Sequence, residues 1–147
     1  MSSSIAYVAD NIFAKIIAGK IPSYKIFETE HALAILDAFP SVPGHALLLP
    51  KASGYATVMD LPKEVASQVY AELPRLARAV QAVTKCDGIN ILQNNGKAAG
   101  QVVFHAHIHV IPRFERDTMM NFGGGGSTMI EPKEALEMVK KLQDALA

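Results

Sequence analysis

The sequence contains no tryptophan, a single cysteine and no excess of charge of either sign. Because Cys86 stands alone, an intrachain disulfide and a zinc knuckle built on paired cysteines are excluded, and a reducing, cytoplasmic compartment is expected. Lys and Arg together number 14, as do Asp and Glu, and no basic run occurs. We expect no nucleic-acid partner, because binding along a phosphate backbone needs clustered Lys and Arg.

Long apolar stretches are also missing. No uninterrupted apolar run reaches the ~18–20 residues that a membrane helix needs, so no membrane partner is expected. Residues 1–10 lack the basic start and the apolar stretch of a signal peptide. Of the 147 residues, 50% are hydrophobic and 19% are charged, which is typical of a globular chain. We expect a single domain over residues 1–147, with its core at about 8–115.

Hydrophobic periodicity predicts helices at the start, in the middle and at the end of the chain. Asp10 is the expected cap of the first helix, which ends at Gly19. A second helix is expected to begin at Asp60 and to run to about residue 83, with a kink or a break at Pro74. A glycine-rich loop at 123–126 precedes a last helix at about 132–146.

Five apolar runs bounded by turn residues read as strands, at 24–28, 32–37, 45–50, 88–93 and 102–112. The order helix, strands, helix, strands, helix predicts an α+β domain. Its antiparallel sheet would have about five strands, with helices packed on it.

Three of the five histidines occupy alternate positions, His105, His107 and His109, in the predicted strand 102–112. Side chains alternate faces along a strand, so the three rings are expected to point one way, ~6.7 Å apart. Three interpretations are open: a solvated polar face, a zinc or iron site, and catalysis on phosphorus. A metal site needs a further ligand, and Glu115 lies one position too far along for a cupin-like pattern.

The loop before these histidines favours phosphorus chemistry. Asn94, Gly100 and Gln101 could present amide groups to an anion, and Gly100 permits close approach of the main chain to phosphate oxygens. Lys97 is the only cationic residue in the loop. Few charges suit one phosphate better than a triphosphate.

Taken together, these motifs resemble the histidine-triad (HIT) family, in particular its Hint branch of small nucleotide hydrolases. The family signature His-x-His-x-His reads here as His105-Ala106-His107-Ile108-His109. Similarity also covers the first helix, the strands around Asp37 and His45, and the loop at 90–101. The resemblance extends over roughly residues 11–113.

The resemblance implies an α+β fold, usually a homodimer in which two sheets join. It also implies hydrolysis of adenosine phosphoramidates or related nucleotides at the α-phosphorus, releasing AMP without a cofactor. His107 would be the nucleophile and form a nucleotidyl-histidine, His109 would contact the phosphate and leaving group, and His105 and His45 would support His107. The expected substrate-binding residues are those around the purine nucleotide: Asn94, Gly100, Gln101 and Val102 at the phosphate, Asp37 at the ribose, and Ile12, Phe13, Ile16 and Ile21 along the nucleoside.

Two departures from the family pattern stand out. Many microbial relatives carry a zinc site built on a Cys-x-x-Cys pair and a histidine, where this chain has Asn11, Ala14 and Ser53. We therefore predict no metal. Val102 replaces a residue that is commonly Ser or Thr, so a side-chain donor to the phosphate is missing. Alternative activities within the superfamily are dinucleoside polyphosphate hydrolysis and nucleotidyl transfer, or nucleotide binding without catalysis.

Overall fold

The computed structural model describes residues 5–118, 126 and 128–146. Its helices and strands follow one another in the order α1 (Ile12–Ile17), β1 (Lys25–Glu28), β2 (Ala32–Leu36), β3 (Ala46–Pro50), α2 (Lys63–Tyr70), α3 (Leu73–Thr84), β4 (Gly88–Leu92), β5 (Ile108–Arg113) and α4 (Pro132–Ala145). Short 3-10 helices occupy Val58–Asp60 and Lys97–Ala99. No helix among the described residues is long and apolar enough to cross a membrane.

The five strands form one antiparallel sheet in the order β1-β2-β3-β5-β4, so the predicted α+β class is confirmed. The central strand β3 pairs with its neighbour β5 through Leu47 opposite His109 and Leu48 opposite Ile108. This register sends neighbouring residues of each strand to opposite faces of the sheet.

The sheet has two differently covered faces. On one, which we call the α3/α4 face, side chains such as Leu48, Ile108 and Val110 pack with apolar residues of α2, α3 and α4. On the other, which we call the cavity face, Leu33, Ile35, Leu47 and Leu49 pack with Phe13 of α1. Helix α1 is only six residues long, so it covers part of this face.

Two helix starts differ from prediction. The cap of α1 is Asn11 rather than Asp10, because the Asn11 carboxamide oxygen accepts a 2.9 Å hydrogen bond from the Ala14 amide. Asp60 does not begin a helix; its carboxylate accepts hydrogen bonds from the amide and hydroxyl of Thr57 and closes a 3-10 turn. The predicted break at Pro74 is confirmed, since this residue lies in the first turn of α3.

The prediction of a strand over 102–112 is wrong for residues 102–107, since β5 begins only at Ile108. Residues 103–105 form a bend, and the amide of Ala106 bonds the Tyr55 carbonyl rather than a strand. The ladder with β3 ends at Ile108, opposite Leu48, although β3 runs on to Pro50. Beyond that point the Pro50 carbonyl bonds the His105 ring, and Pro50 has no amide hydrogen to offer. The predicted row of three rings on one strand face therefore does not form.

Candidate functional site

A cavity of about 400 Å³ opens on the cavity face between α1, the end of β2 and the loop that precedes β5. Nine of the predicted site residues line it: Ile12, Phe13, Asp37, Asn94, Gly100, Gln101, Val102, His107 and His109. The other four predicted residues, Ile16, Ile21, His45 and His105, are not among the lining residues. Ile16 packs against the apolar cluster of the cavity face, and both His45 and His105 are fully buried.

His107 is held in one tautomer by the main chain. Its Nδ1 lies 2.7 Å from the carbonyl oxygen of His105, and a carbonyl can only accept, so Nδ1 carries the proton. In the neutral ring the lone pair then lies on Nε2, the nitrogen that can attack an electrophile. Burial lowers the pKa of His107, and this hydrogen bond counters part of the lowering. The net lowering of the pKa keeps the ring neutral near pH 7. The Phe13 ring packs edge-on at a centroid distance of 4.8 Å.

His109 is oriented by His45, which lies 64 residues earlier in the chain. The Ser41 amide donates to His45 Nδ1 at 3.0 Å, so neutral His45 carries its proton on Nε2. That Nε2 lies 2.9 Å from His109 Nδ1 and donates to it. His109 Nδ1 is thus an acceptor, and its proton must sit on Nε2, the other nitrogen of a ring that lines the cavity. His109 is therefore built as a neutral hydrogen-bond donor.

The neutral state of this pair has a clear physical cause. Burial, followed by the proximity of His107, lowers the pKa of His45 to about 4 and that of His109 to about 3. A positive charge on either buried ring would lose its hydration, and this loss is the largest cause of the lowered pKa values.

Asp37 completes a buried cluster with these two rings. Its Oδ2 lies 3.5 Å from His45 Nε2 and 4.0 Å from His109 Nδ1, while its Oδ1 accepts a hydrogen bond from the Phe39 amide. Burial raises the pKa of Asp37. Asp37 lines the cavity.

The same three residues also have the spacing of a possible metal site, with their ligand atoms all within 4.8 Å of one another. A tetrahedral zinc ion with bonds of about 2.0–2.1 Å would fit such a triangle. The hydrogen bonding does not fit an ion, however, because the Ser41 amide holds the proton of His45 on Nε2, the nitrogen that would have to coordinate it. The two histidine nitrogens of this triangle are already paired with each other by a hydrogen bond.

His105 lies behind the cavity rather than in it. Its Nε2 donates to the Pro50 carbonyl at 2.9 Å, and its Nδ1 lies 2.8 Å from the hydroxyl of Tyr7. His105 therefore contacts His107 through the main-chain carbonyl of His105 and not through its ring. Tyr7 is a residue that the sequence reasoning missed, since a tyrosine near the start of a chain carries no pattern.

The loop before His105 is shaped by Gln101 and Gly100. The buried Gln101 carboxamide accepts from the Gly96 amide and donates to the carbonyls of Ala56 and Val103, so it holds the loop together. Gly100 adopts φ 94°, a conformation that side chains rarely permit. Asn94 lies against Gly100. Within the described residues the Val102 amide forms no hydrogen bond, which leaves a donor beside the cavity.

Apolar side chains form the remaining wall. Ile12 and Phe39 are 47% and 44% exposed and line the cavity, and Val102 at its mouth is 83% exposed. Phe39, Ile35 and Leu47 were missed because a residue at a strand end or in a core looks the same in sequence whether or not a cavity adjoins it. Of the predicted glycine-rich loop, residues 123–125 lie outside the described residues, while Gly126 bonds the Phe39 carbonyl and lines the cavity.

Comparison with known proteins identifies what this arrangement is similar to. The family profile of the HIT domain matches residues 18–116. A protein of Arabidopsis thaliana named adenylylsulfatase HINT3 is 44% identical over 110 residues, which are 75% of this chain and 55% of that protein. The match thus spans about half the length of that relative. Adenosine 5'-monophosphoramidase HNT1 of Saccharomyces cerevisiae is 44% identical over 113 residues, covering 77% of this chain and 68% of the yeast protein.

Among solved structures, a HIT-like protein from Bartonella henselae superposes with a TM-score of 0.87 at 33% identity. The superposition covers 96% of this chain and 99% of that chain. The likeness therefore extends over the helices and the sheet as well as the histidine motif.

Proposed function

The chain belongs to the HIT-domain family, and on that basis we propose that it is a hydrolase that cleaves nucleoside 5'-monophosphate derivatives at the α-phosphorus. The preferred substrate would be an adenosine phosphoramidate, and the product AMP. One observation carries the proposal: His107 lines the cavity with its Nδ1 proton held by the His105 carbonyl, which leaves the Nε2 lone pair for attack.

In the first step, His107 Nε2 forms a bond to the α-phosphorus, and the bond from phosphorus to the leaving amine breaks. The electron pair departs with the amine, which takes a proton from solvent. Negative charge on the phosphate oxygens is stabilised by the His109 Nε2–H and by the free amide of Val102. Water then hydrolyses the nucleotidyl-histidine, which releases AMP, returns a proton to solvent and restores neutral His107.

The cavity supports a substrate with little charge. Among the described residues that line it there is no Lys or Arg, and both lining histidines are held neutral. A polyphosphate chain would meet no cation there, whereas a single phosphoryl group needs only a few neutral donors. This favours a phosphoramidate over the alternatives of dinucleoside polyphosphate hydrolysis and nucleotidyl transfer.

The nucleoside would lie along the apolar wall of Ile12 and Phe13, with Asp37 at the ribose hydroxyls. Gln101 would act by holding the loop, because its carboxamide already bonds main-chain groups. Ile16, Ile21 and His45 would contribute from behind the lining residues. We propose that the reaction needs no metal or other cofactor.

The proposed homodimer would join two sheets through β4. This strand lies at the edge of the sheet, with β5 as its one neighbour, and its Ile91 is 46% exposed. An edge strand of this kind can pair with a second copy. The single cysteine favours a reducing cytoplasm as the location.

The proposal is tested by incubating the protein with adenosine monophosphoramidate, adenylyl sulfate and a diadenosine polyphosphate, beside a His107→Ala variant. Adenylyl sulfate is included because of the name of the Arabidopsis relative. We expect the wild type to release AMP from the phosphoramidate and the His107→Ala variant to release none. Among the three substrates, the wild type should turn over the phosphoramidate fastest. Equal release of AMP by both proteins, or tight AMP binding without turnover of any substrate, would refute the proposed hydrolase activity.

A further inference from the structure

Residues 5–11, which we call the N-terminal arm, precede the segment matched by the family profile and lie against the back of the histidine cluster. The Tyr7 hydroxyl is 2.8 Å from His105 Nδ1, and the two ring centroids are 5.7 Å apart. Ile5 reaches the loop at Gly96, where an added Cβ would come within 3.2 Å of its Cδ1. The arm therefore contacts both His105 and the loop that contains Gly96, which precede His107 in the chain.

The direction of the Tyr7 hydrogen bond follows from the other side of the ring. The Pro50 carbonyl accepts from His105 Nε2 at 2.9 Å, so neutral His105 presents a lone pair at Nδ1. The Tyr7 hydroxyl donates to that lone pair. Because His105 is 0% exposed with Tyr7 in place, the hydroxyl and not bulk water is the donor to this nitrogen.

His105 transmits this contact to His107. Its carbonyl oxygen accepts the His107 Nδ1 proton at 2.7 Å, and that hydrogen bond sets which nitrogen of His107 is free. Residues 103–105 form a bend outside the sheet, so strand pairing does not fix the direction of this carbonyl. Two contacts hold the peptide unit that carries it: the Ala106 amide of the same unit donates to the Tyr55 carbonyl at 2.9 Å, and the His105 ring is held between Pro50 and Tyr7.

We propose that Tyr7 is a positioning residue for His107, an inference that rests on the proposed function. Tyr7 is not among the residues that line the cavity, so it acts through His105 and not on the substrate. Asn11 holds the arm in place: its Nδ2 donates to the Val8 carbonyl at 2.8 Å while its Oδ1 caps α1. One buried side chain thus ties the arm to the helix that covers the cavity face.

The test compares Tyr7→Phe with Tyr24→Phe, which removes a hydroxyl from a ring packed on the α3/α4 face. With adenosine monophosphoramidate, kcat per active site, titrated from the burst of leaving group, falls about tenfold in Tyr7→Phe because the nucleophile is misplaced. KM changes by less than about twofold, and Tyr24→Phe behaves as wild type. A loss confined to the number of titratable sites, or one shared by Tyr24→Phe, shows a merely structural role and overturns the proposal.

A second variant examines the route. Asn11→Asp keeps the acceptor that caps α1 but removes the side-chain donor to the Val8 carbonyl, which then keeps only the main-chain amide of residue 11 at 3.1 Å. We expect a smaller fall in kcat per site, and no further fall when it is combined with Tyr7→Phe, since both act through one contact. Additive losses would contradict that route.

NMR separates this inference from the proposed function. The Nδ1 proton of His107, held by the His105 carbonyl, gives a protected imidazole N–H signal in wild type and in Tyr24→Phe, and a weakened, fast-exchanging one in Tyr7→Phe. Absence of turnover in the wild type would refute the proposed function, and the NMR comparison alone would then decide the role of Tyr7. An unchanged signal in Tyr7→Phe overturns it.

Discussion

On β3, Leu48 points to the α3/α4 face, whereas its neighbour Leu47 points to the cavity face. Both are leucines with 3% exposure or less. Leu48 packs against helices, whereas Leu47 packs in one cluster with Phe13, lines the cavity and pairs with His109. The same alternation on β5 places Ile108 and Val110 in the core and His109 on the cavity face. The α3/α4 face is closely packed, which stabilises the fold. The cavity face keeps an open space and polar groups, so its side chains make fewer packing contacts.

The largest expected effect separates the two faces through this matched pair. Leu48→Ala should lower the free energy of unfolding by about 2–5 kcal/mol, because a side chain enclosed by helices leaves an unfilled hole. Leu47→Ala, which only enlarges an existing cavity, should lose clearly less stability and raise KM. Urea denaturation and steady-state kinetics measure both quantities. Equal losses of stability would show that the cavity face is packed as tightly as the other.

Acid should destabilise the protein through the cavity face. The pKa values of His45 and His109 in the folded protein, about 4 and about 3, lie below the value of 6.5 for a free ring. The contribution of the two neutral rings to the free energy of unfolding is therefore complete above about pH 6.5 and declines as the pH falls towards the folded pKa values. At pH 5 the free energy of unfolding is lower by about 2 kcal/mol for each ring. His105 and His107 act in the same direction, while the raised pKa of Asp37 opposes it.

Denaturation at pH 5 and pH 7.5 measures this slope. His109→Gln should remove about one histidine's share of it, and His31→Gln, on an exposed turn, should leave it unchanged. A slope that does not differ between these two variants would place the acid sensitivity elsewhere in the molecule.

The smallest expected effect concerns the cavity mouth. Val102→Ser supplies a hydroxyl donor beside the phosphate and should raise kcat/KM about 3–10-fold, the equivalent of one net hydrogen bond. Stability should not change, because Val102 is 83% exposed. Leu136→Ser, at 63% exposure on α4 and away from the lining residues, is the control for kcat/KM. Lower kcat/KM in Val102→Ser would indicate that the apolar side chain itself contacts the leaving group.

Pattern reasoning predicted the sheet well, since alternating and continuous apolar runs mark β2 and β3 directly. Nine of the thirteen proposed site residues line the cavity. The motif and its loop lie close together in the chain, whereas Ile12, Phe13 and Asp37 were proposed from the family resemblance alone. Pattern reasoning overextended the histidine strand because Val102 to His107 have strand-like composition, whereas the φ 94° turn at Gly100 and the bend at 103–105 keep this segment out of the sheet. Residue type alone does not show whether a partner strand is within reach.

Three clustered histidines, a glycine-containing loop and strands that alternate core and site residues can all be read from the order of the residues. The role of each ring becomes visible only when the chain is folded. His45 reaches His109 across 64 residues of sequence, and Tyr7 reaches His105 across 98. The physical reason is that a histidine tautomer depends on which neighbour donates and which accepts. Those neighbours are main-chain carbonyls, an amide and a hydroxyl, which carry no sequence signal of their own.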